Sequence, residues 1–265
     1  MPTFPLSIGA VLIGLFGLLT GSFLNVVVHR VPRRTSIAMP ASHCPNCGHS
    51  LRAWENIPLL SWILLRGQCH ACHQGISWRY PAIELLTGLL SAGVTLQWGF
   101  SWSLISALLF TWGLLALAVI DLETQLLPDR LTKPGIVFGL IINASAFLWP
   151  GLALTTPLDA LLGVVIGYGS LWLLATAYLK ITGRQGMGGG DLKLLGLIGA
   201  WLGWQAVFMA FMIAAISGGL VAIAYLLLGK GRDYAIPFGP YLALGGVLML
   251  LWPQMLSIYL HLFAR

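Results

Sequence analysis

From Leu194 to Gly229 the chain reads LLGLIGAWLGWQAVFMAFMIAAISGGLVAIAYLLLG, without one Asp, Glu, Lys or Arg. An ordinary soluble domain carries roughly one charged residue in four, so this run belongs in a medium that does not reward charge. A helix needs about 20 apolar residues to cross the hydrocarbon layer of a bilayer, and the run holds most of two such helices. The rest of the chain agrees: of its 265 residues, 58% are hydrophobic and 8% charged, with a mean hydropathy of +0.87. Asp159 is the only charge within 134–179. A soluble enzyme could not bury so much apolar surface, and a disordered chain would not contain it. The spans of a transmembrane β-barrel would alternate with period two. The pattern predicts an all-α polytopic membrane protein of about eight transmembrane helices, near 6–28, 82–98, 102–120, 134–150, 158–179, 192–204, 206–228 and 238–260. The run 6–28 has neither a basic leading region nor an Ala-x-Ala site, so it is expected to stay as a helix.

The few charges are unevenly placed. Residues 29–80 hold Arg30, Arg33, Arg34, Arg52, Arg66, Arg79 and Glu55. Short basic loops remain in the cytoplasm. With 29–80 inside, the expected spans also place 121–133, 180–193 and 229–237 inside, and these carry Arg130, Lys133, Lys180, Arg184, Lys193, Lys230 and Arg232. The opposite connections, near 99–101, 151–157 and 205, carry no basic residue. Both termini are then periplasmic. Three segments are expected: a first transmembrane helix, 1–28; a cytoplasmic insert, 29–80; and a transmembrane bundle, 81–265. Trp98, Trp102, Trp149 and Trp204 fall at the outer turns, where indoles favour the headgroup region. Gly17-x-x-x-Gly21, Gly135-x-x-x-Gly139, Gly163-x-x-x-Gly167 and Gly199-x-x-x-Gly203 permit close helix contact and say only that the bundle is packed.

All four cysteines lie in the insert, as Cys44-Pro-Asn-Cys47 and Cys69-His-Ala-Cys72. Two CxxC knuckles suit a tetrahedral zinc site, since each offers two sulfurs at about 2.3 Å from the ion. Disulfides are disfavoured on the cytoplasmic side, and a redox CxxC does not explain the doubling. His43, His49, His70 and His73 could replace a ligand, but four thiolates already close the shell, which makes the metal structural.

Most of the acids have a bland explanation. Asp159 follows Thr156 in a helix-capping pattern. Glu55 and Asp233 read as surface charges, Asp129 as a solvated pair with Arg130, and Glu84, just after Pro81, as an anion favoured by a helix N-terminus. Two acids resist it. Asp121 directly ends the apolar run 114–120, and Asp191 follows Gly188-Gly189-Gly190 and opens the next apolar stretch. Ionisable groups at membrane depth mark function, and the expected topology puts both at the cytoplasmic ends of their helices, where they can face one another. Two close carboxylates do not both ionise easily, so one keeps a proton and the pair offers an acid and a base for activating water against a peptide carbonyl. The glycines let an extended substrate backbone approach Asp191. They are not a phosphate loop, because no Gly-Lys-Ser/Thr follows. A proton-coupled transporter with a regulatory insert would also carry intramembrane carboxylates. It would hold them nearer the midplane, within inverted repeats that are not evident.

Gly188-Gly189-Gly190-Asp191 matches the GxGD motif of intramembrane aspartic proteases, and Asp121-Leu-Glu-Thr-Gln-Leu-Leu-Pro-Asp129 resembles the first aspartate motif of the type IV prepilin peptidases. The resemblance continues through Gly21-Ser-Phe-Leu-Asn25, both CxxC knuckles, Asn56-Ile-Pro-Leu-Leu-Ser61, Arg79-Tyr-Pro-Ala-Ile-Glu84 and Pro237-Phe-Gly-Pro-Tyr241. It implies Asp121 and Asp191 as the catalytic pair. It also implies a prepilin or type II secretion pseudopilin substrate, whose basic leader is cut from its hydrophobic helix after a glycine at the cytoplasmic boundary of the bacterial inner membrane. A second activity is implied as well, methylation of the new amino terminus by S-adenosyl-L-methionine. No Rossmann-type glycine motif marks that cofactor's site. Shorter relatives that only cleave lack the insert, which directs attention to the insert and Glu84. No nucleic-acid partner is expected.

Overall fold

The computed structural model describes residues 5–184, 188–229 and 236–254. Lys230, Arg232, Asp233, Arg265, both termini and the last part of the expected span 238–260 lie outside the described residues. The described residues form helices α1 (Leu6–Arg30), α2 (Leu60–Leu64), α3 (Arg79–Trp98), α4 (Trp102–Thr124) and α5 (Asp129–Ala144). These are followed by α6 (Pro157–Thr182), α7 (Gly189–Leu202), α8 (Trp204–Leu227) and α9 (Gly239–Leu251). The only bridged backbone among them is His43 with Ser50 and Gln68 with Gly75. The protein is thus an all-helical membrane protein with a small cysteine-bearing insert between its first two long helices. α1, α4, α8 and the segment Pro150–Thr182 containing α6 are each long and apolar enough to cross a bilayer.

The chain divides into two compact units, Met1–Phe100 and Ser101–Arg265. In the first, α1 packs along α3. The approach is close enough that a Cβ on Gly21 would fall 2.7 Å from Glu84 Cα, which is why the Gly17/Gly21 pair faces this helix. Thr87, Ser91 and Thr95 are buried in the same seam. Each donates its hydroxyl to the carbonyl four residues back, at 2.6, 2.7 and 2.8 Å, so none of these three hydroxyls is left bare where water is scarce.

In the second unit α4, α7 and α9 form the centre, with Leu114, Ile120, Leu194, Ile198, Leu242 and Leu250 almost completely buried. α6 crosses α7 where Gly163 meets Gly199: a Cβ on Gly163 would fall 2.3 Å from the Gly199 carbonyl oxygen. At the end of α7 remote from Asp191, Asn143 donates to the carbonyls of Ala200 and Trp201 and accepts the N–H groups of Leu154 and Thr155. Its amide is fully satisfied and staples α5, α7 and the approach to α6.

Several local readings change. α3 begins at Arg79, two residues before Pro81, so Glu84 lies in the second turn and not the first. α4 runs on to Thr124 and encloses Asp121. α5 begins at Asp129, with Pro134 inside it. Glu55 is not a surface charge: it is buried, accepts the Arg52 N–H at 2.7 Å and pairs with His49 at 3.1 Å. That backbone N–H holds its carboxyl below the usual range. Asp129 pairs not with its neighbour Arg130 but with Lys133, at 2.7 Å, and with Lys193 of α7. Asp159 is in a cap as expected, its N–H donated to Thr156 Oγ1 at 3.1 Å.

Candidate active site and metal centre

Asp121 lies in the last turns of α4, only 5% exposed. The C-terminal end of a helix is electrostatically hostile to an anion, so something else must receive this carboxylate. α9 does. The Gly239 N–H, first in that helix, donates to Asp121 Oδ2 at 2.9 Å, and the partial positive charge of the helix N-terminus favours the anion. Only glycine fits here, because a Cβ on Gly239 would fall 2.6 Å from Asp121 Oδ2.

Asp191 lies half-buried in the first turn of α7, again at a helix N-terminus. α9 packs against both α4, whose last turns carry Asp121, and α7, whose first turn carries Asp191. Two carboxyl groups of the second unit therefore share one neighbourhood, each beside the amino end of a helix. The link from Asp129 on α5 to Lys193 on α7 fixes the turn that carries Asp191. Gly188 caps α7 and, like Gly189, is exposed; a Cβ on Gly189 meets nothing within 4 Å. Gly190 instead packs on Leu127, whose Cβ would lie 2.8 Å from an added Cβ. One open backbone edge thus leads to Asp191. Glu84 belongs to the first unit, where its Oε2 accepts the Leu59 N–H at 2.9 Å.

Sequence reasoning assigned no role to Gly239, although it quoted the motif that contains it. Gly239→Ala is expected to leave the bundle folded but to displace the Asp121 carboxylate, lowering turnover by about a hundredfold, as ångström-scale misplacement does. Turnover by this variant within a few-fold of the parent would show that the Gly239 contact does not position the carboxylate.

In the insert, the two knuckles are copies of one another. The Cys44 N–H bonds to the His49 carbonyl and the Cys69 N–H to the Gln74 carbonyl, at 2.9 and 2.8 Å. The Gly48 and His73 N–H groups return to the Cys44 and Cys69 carbonyls, both at 2.9 Å. Gly48 and His73 occupy the same left-handed position, φ 72° and 56°. The sulfurs converge: Cys44 to Cys72 is 3.9 Å, Cys47 to Cys69 is 4.0 Å, and all four Sγ atoms lie within 4.8 Å of one another. A tetrahedron with metal–sulfur bonds of about 2.3 Å has edges of about 3.8 Å. The spacing fits a metal and is far beyond the sulfur–sulfur bond of a disulfide, about 2.05 Å. None of the four histidines is part of the converging cluster.

Residues 15–98 match the family described as the bacterial peptidase A24 N-terminal domain, and residues 108–223 match the type IV leader peptidase family. The prepilin leader peptidase/N-methyltransferase of Stutzerimonas stutzeri is 44% identical, covering 94% of this chain and 92% of its own length. That of Pseudomonas aeruginosa is 42% identical, covering 92% and 90%. That of Neisseria gonorrhoeae is 42% identical, covering 89% and 87%. No solved structure matches the chain.

Proposed function

This chain belongs to the prepilin leader peptidase/N-methyltransferase family, and we propose that its second unit removes the leader with Asp121 and Asp191. It is an enzyme that cleaves type IV prepilins and methylates the product. The observation that carries the residue assignment is the gathering of both carboxyl-bearing helices by α9, with Asp121 received by the Gly239 N–H and Asp191 in the first turn of α7. The deprotonated member takes a proton from water, whose oxygen attacks the scissile carbonyl. The protonated member hydrogen-bonds the developing oxyanion, and a proton then goes to the leaving amine. Type II pseudopilins are substrates of the same kind. The short basic loops support a topology with the insert and both aspartates facing the cytoplasm.

Zinc is the ion the insert holds, through Cys44, Cys47, Cys69 and Cys72. Its closed thiolate shell supplies folding energy and no chemistry. S-Adenosyl-L-methionine is the methyl donor, and the first unit fits it: Asn25 Oδ1 is buried without a hydrogen-bond partner, an orphaned acceptor that an ammonium or hydroxyl group would satisfy. The Asn25 amide orientation is settled by its Nδ2, which donates to the carbonyls of Gly21 and Tyr80. Asn25 and Glu84 are where we place that half of the reaction.

Incubating the purified protein with a prepilin, with and without S-adenosyl-L-methionine, tests the whole reading. Leader loss is expected in both cases and a methyl increment only with the donor; no leader loss would refute it. Gly189→Ala tests the backbone edge. The added methyl meets open space, so the fold is expected to be unchanged, while KM rises by about tenfold because the extended substrate can no longer lie against the chain. An unchanged KM would remove Gly189 from the binding site.

A further inference from the structure

The insert has an outer face that neither the metal nor the reaction uses. On α2, Leu60, Ile63 and Leu64 are 56%, 63% and 73% exposed, and their spacing of three and four residues puts them on one side of the helix. The other side is anchored. A Cβ on Gly67 would lie 2.9 Å from the Trp62 ring, and Trp62 Nε1 donates to the Ile76 carbonyl at 3.1 Å. The three outward side chains are therefore held outward and are not simply loose. Single apolar residues at a surface need no explanation, but a cluster does. Trp78, at the entry to α3, is exposed as well.

A strained contact fixes the level of this face. Leu59, directly before α2, has φ 61° and ψ −50°, and the Leu60 N–H bonds to the Pro58 carbonyl at 2.6 Å. This is a γ-turn of positive φ, a costly conformation for leucine. It aims the Leu59 N–H at Glu84 Oε2. Glu84 stands about 8 Å along the helix axis from Arg79, beside Leu85, Leu86 and Leu89, which α3 presents outward. The beginning of α2 is thus tied to a level of α3 that already shows apolar side chains to its surroundings. Charge completes the picture: the insert carries six arginines and one acid, and that acid, Glu55, is buried. Its outer charge is positive, which repels a basic peptide and attracts anionic headgroups.

We propose that α2 is an interfacial helix that seats Leu60, Ile63 and Leu64 in the bilayer surface, with Arg66 and its neighbours at anionic lipid headgroups. The insert then has an attachment to the membrane besides α1, and the metal knuckles are held at a set height above the leaflet. This rests on the membrane character of α1 and on the span that the sequence predicts over 82–98, and not on the peptidase reaction, so an inactive preparation would not count against it.

The test uses the full chain in nanodiscs, with a photoreactive benzoylphenylalanine placed singly at positions 60, 63 and 64, and at exposed Ser50 on the first knuckle for comparison. Bound zinc confirms that each insert is folded. Irradiation is expected to give phospholipid adducts at 60, 63 and 64 in yields about tenfold above that at 50, and higher with phosphatidylglycerol than with phosphatidylcholine. Adducts confined to other segments of the chain or to added prepilin, or equal lipid yields at all four positions, would overturn the proposal.

Discussion

Asp121→Asn and Asp191→Asn, each introduced alone, lower leader removal by about a thousandfold or more, in a protein that still inserts and folds. The fold survives because an asparagine at position 121 keeps an oxygen that can accept the Gly239 N–H, and at position 191 an amide preserves size and polarity in the half-buried first turn of α7. What is lost is proton transfer: an amide neither takes a proton from water nor delivers one to the oxyanion. Since the two groups act as one unit, the double variant should be no slower than the single ones to within about threefold. Methyl transfer to a pilin cut beforehand should persist, because its proposed site lies in the first unit, which these substitutions leave unchanged. Cleavage by either single variant within tenfold of the parent would remove the pair from the chemistry.

How much of this was legible in the sequence depends on how far apart the interacting residues lie. The helical membrane class followed from composition, and the metal knuckles from local spacing: a CxxC turn is closed by hydrogen bonds within about six residues, such as Cys44 to His49. Asp121 and Asp191 stood out because charge is so scarce. The partners of the acids were hidden. Gly239 reaches Asp121 across 118 positions, Lys193 reaches Asp129 across 64, and Leu59 reaches Glu84 across 25. A neighbouring opposite charge, as in Asp129-Arg130, was the natural guess and the wrong one, since side chains next to each other on a helix point apart. Glu55 looked like a surface charge because its partners are a backbone N–H and a histidine, and neither counts as a charge in composition.

Cys69→Ser is expected to strip the metal and unfold the insert while α1 and α3 stay packed. The insert has almost nothing else to hold it. Within 29–80 only Cys44, Glu55, Pro58, Gly67 and Cys69 are buried, so two of its five buried residues are sulfur ligands and no apolar core exists to take over. Binding of a structural zinc contributes about 10–16 kcal/mol in small domains, far more than such an insert could supply by packing. Proteolytic nicking inside 29–80 should therefore rise by about a hundredfold or more, following the population of the open form, and a chelator should do the same to the parent protein. Metal analysis should find one zinc per parent chain and none in the variant. The split between activities is the sharper consequence: with the proposed catalytic pair in the second unit and methyl transfer proposed for the unit that the metal organises, leader removal should fall less than methyl transfer. Parent protein purified without metal yet resistant to protease would sink the structural role. Equal loss of both activities would mean that the insert also serves the cleavage step, and that the division of labour between the two units is wrong.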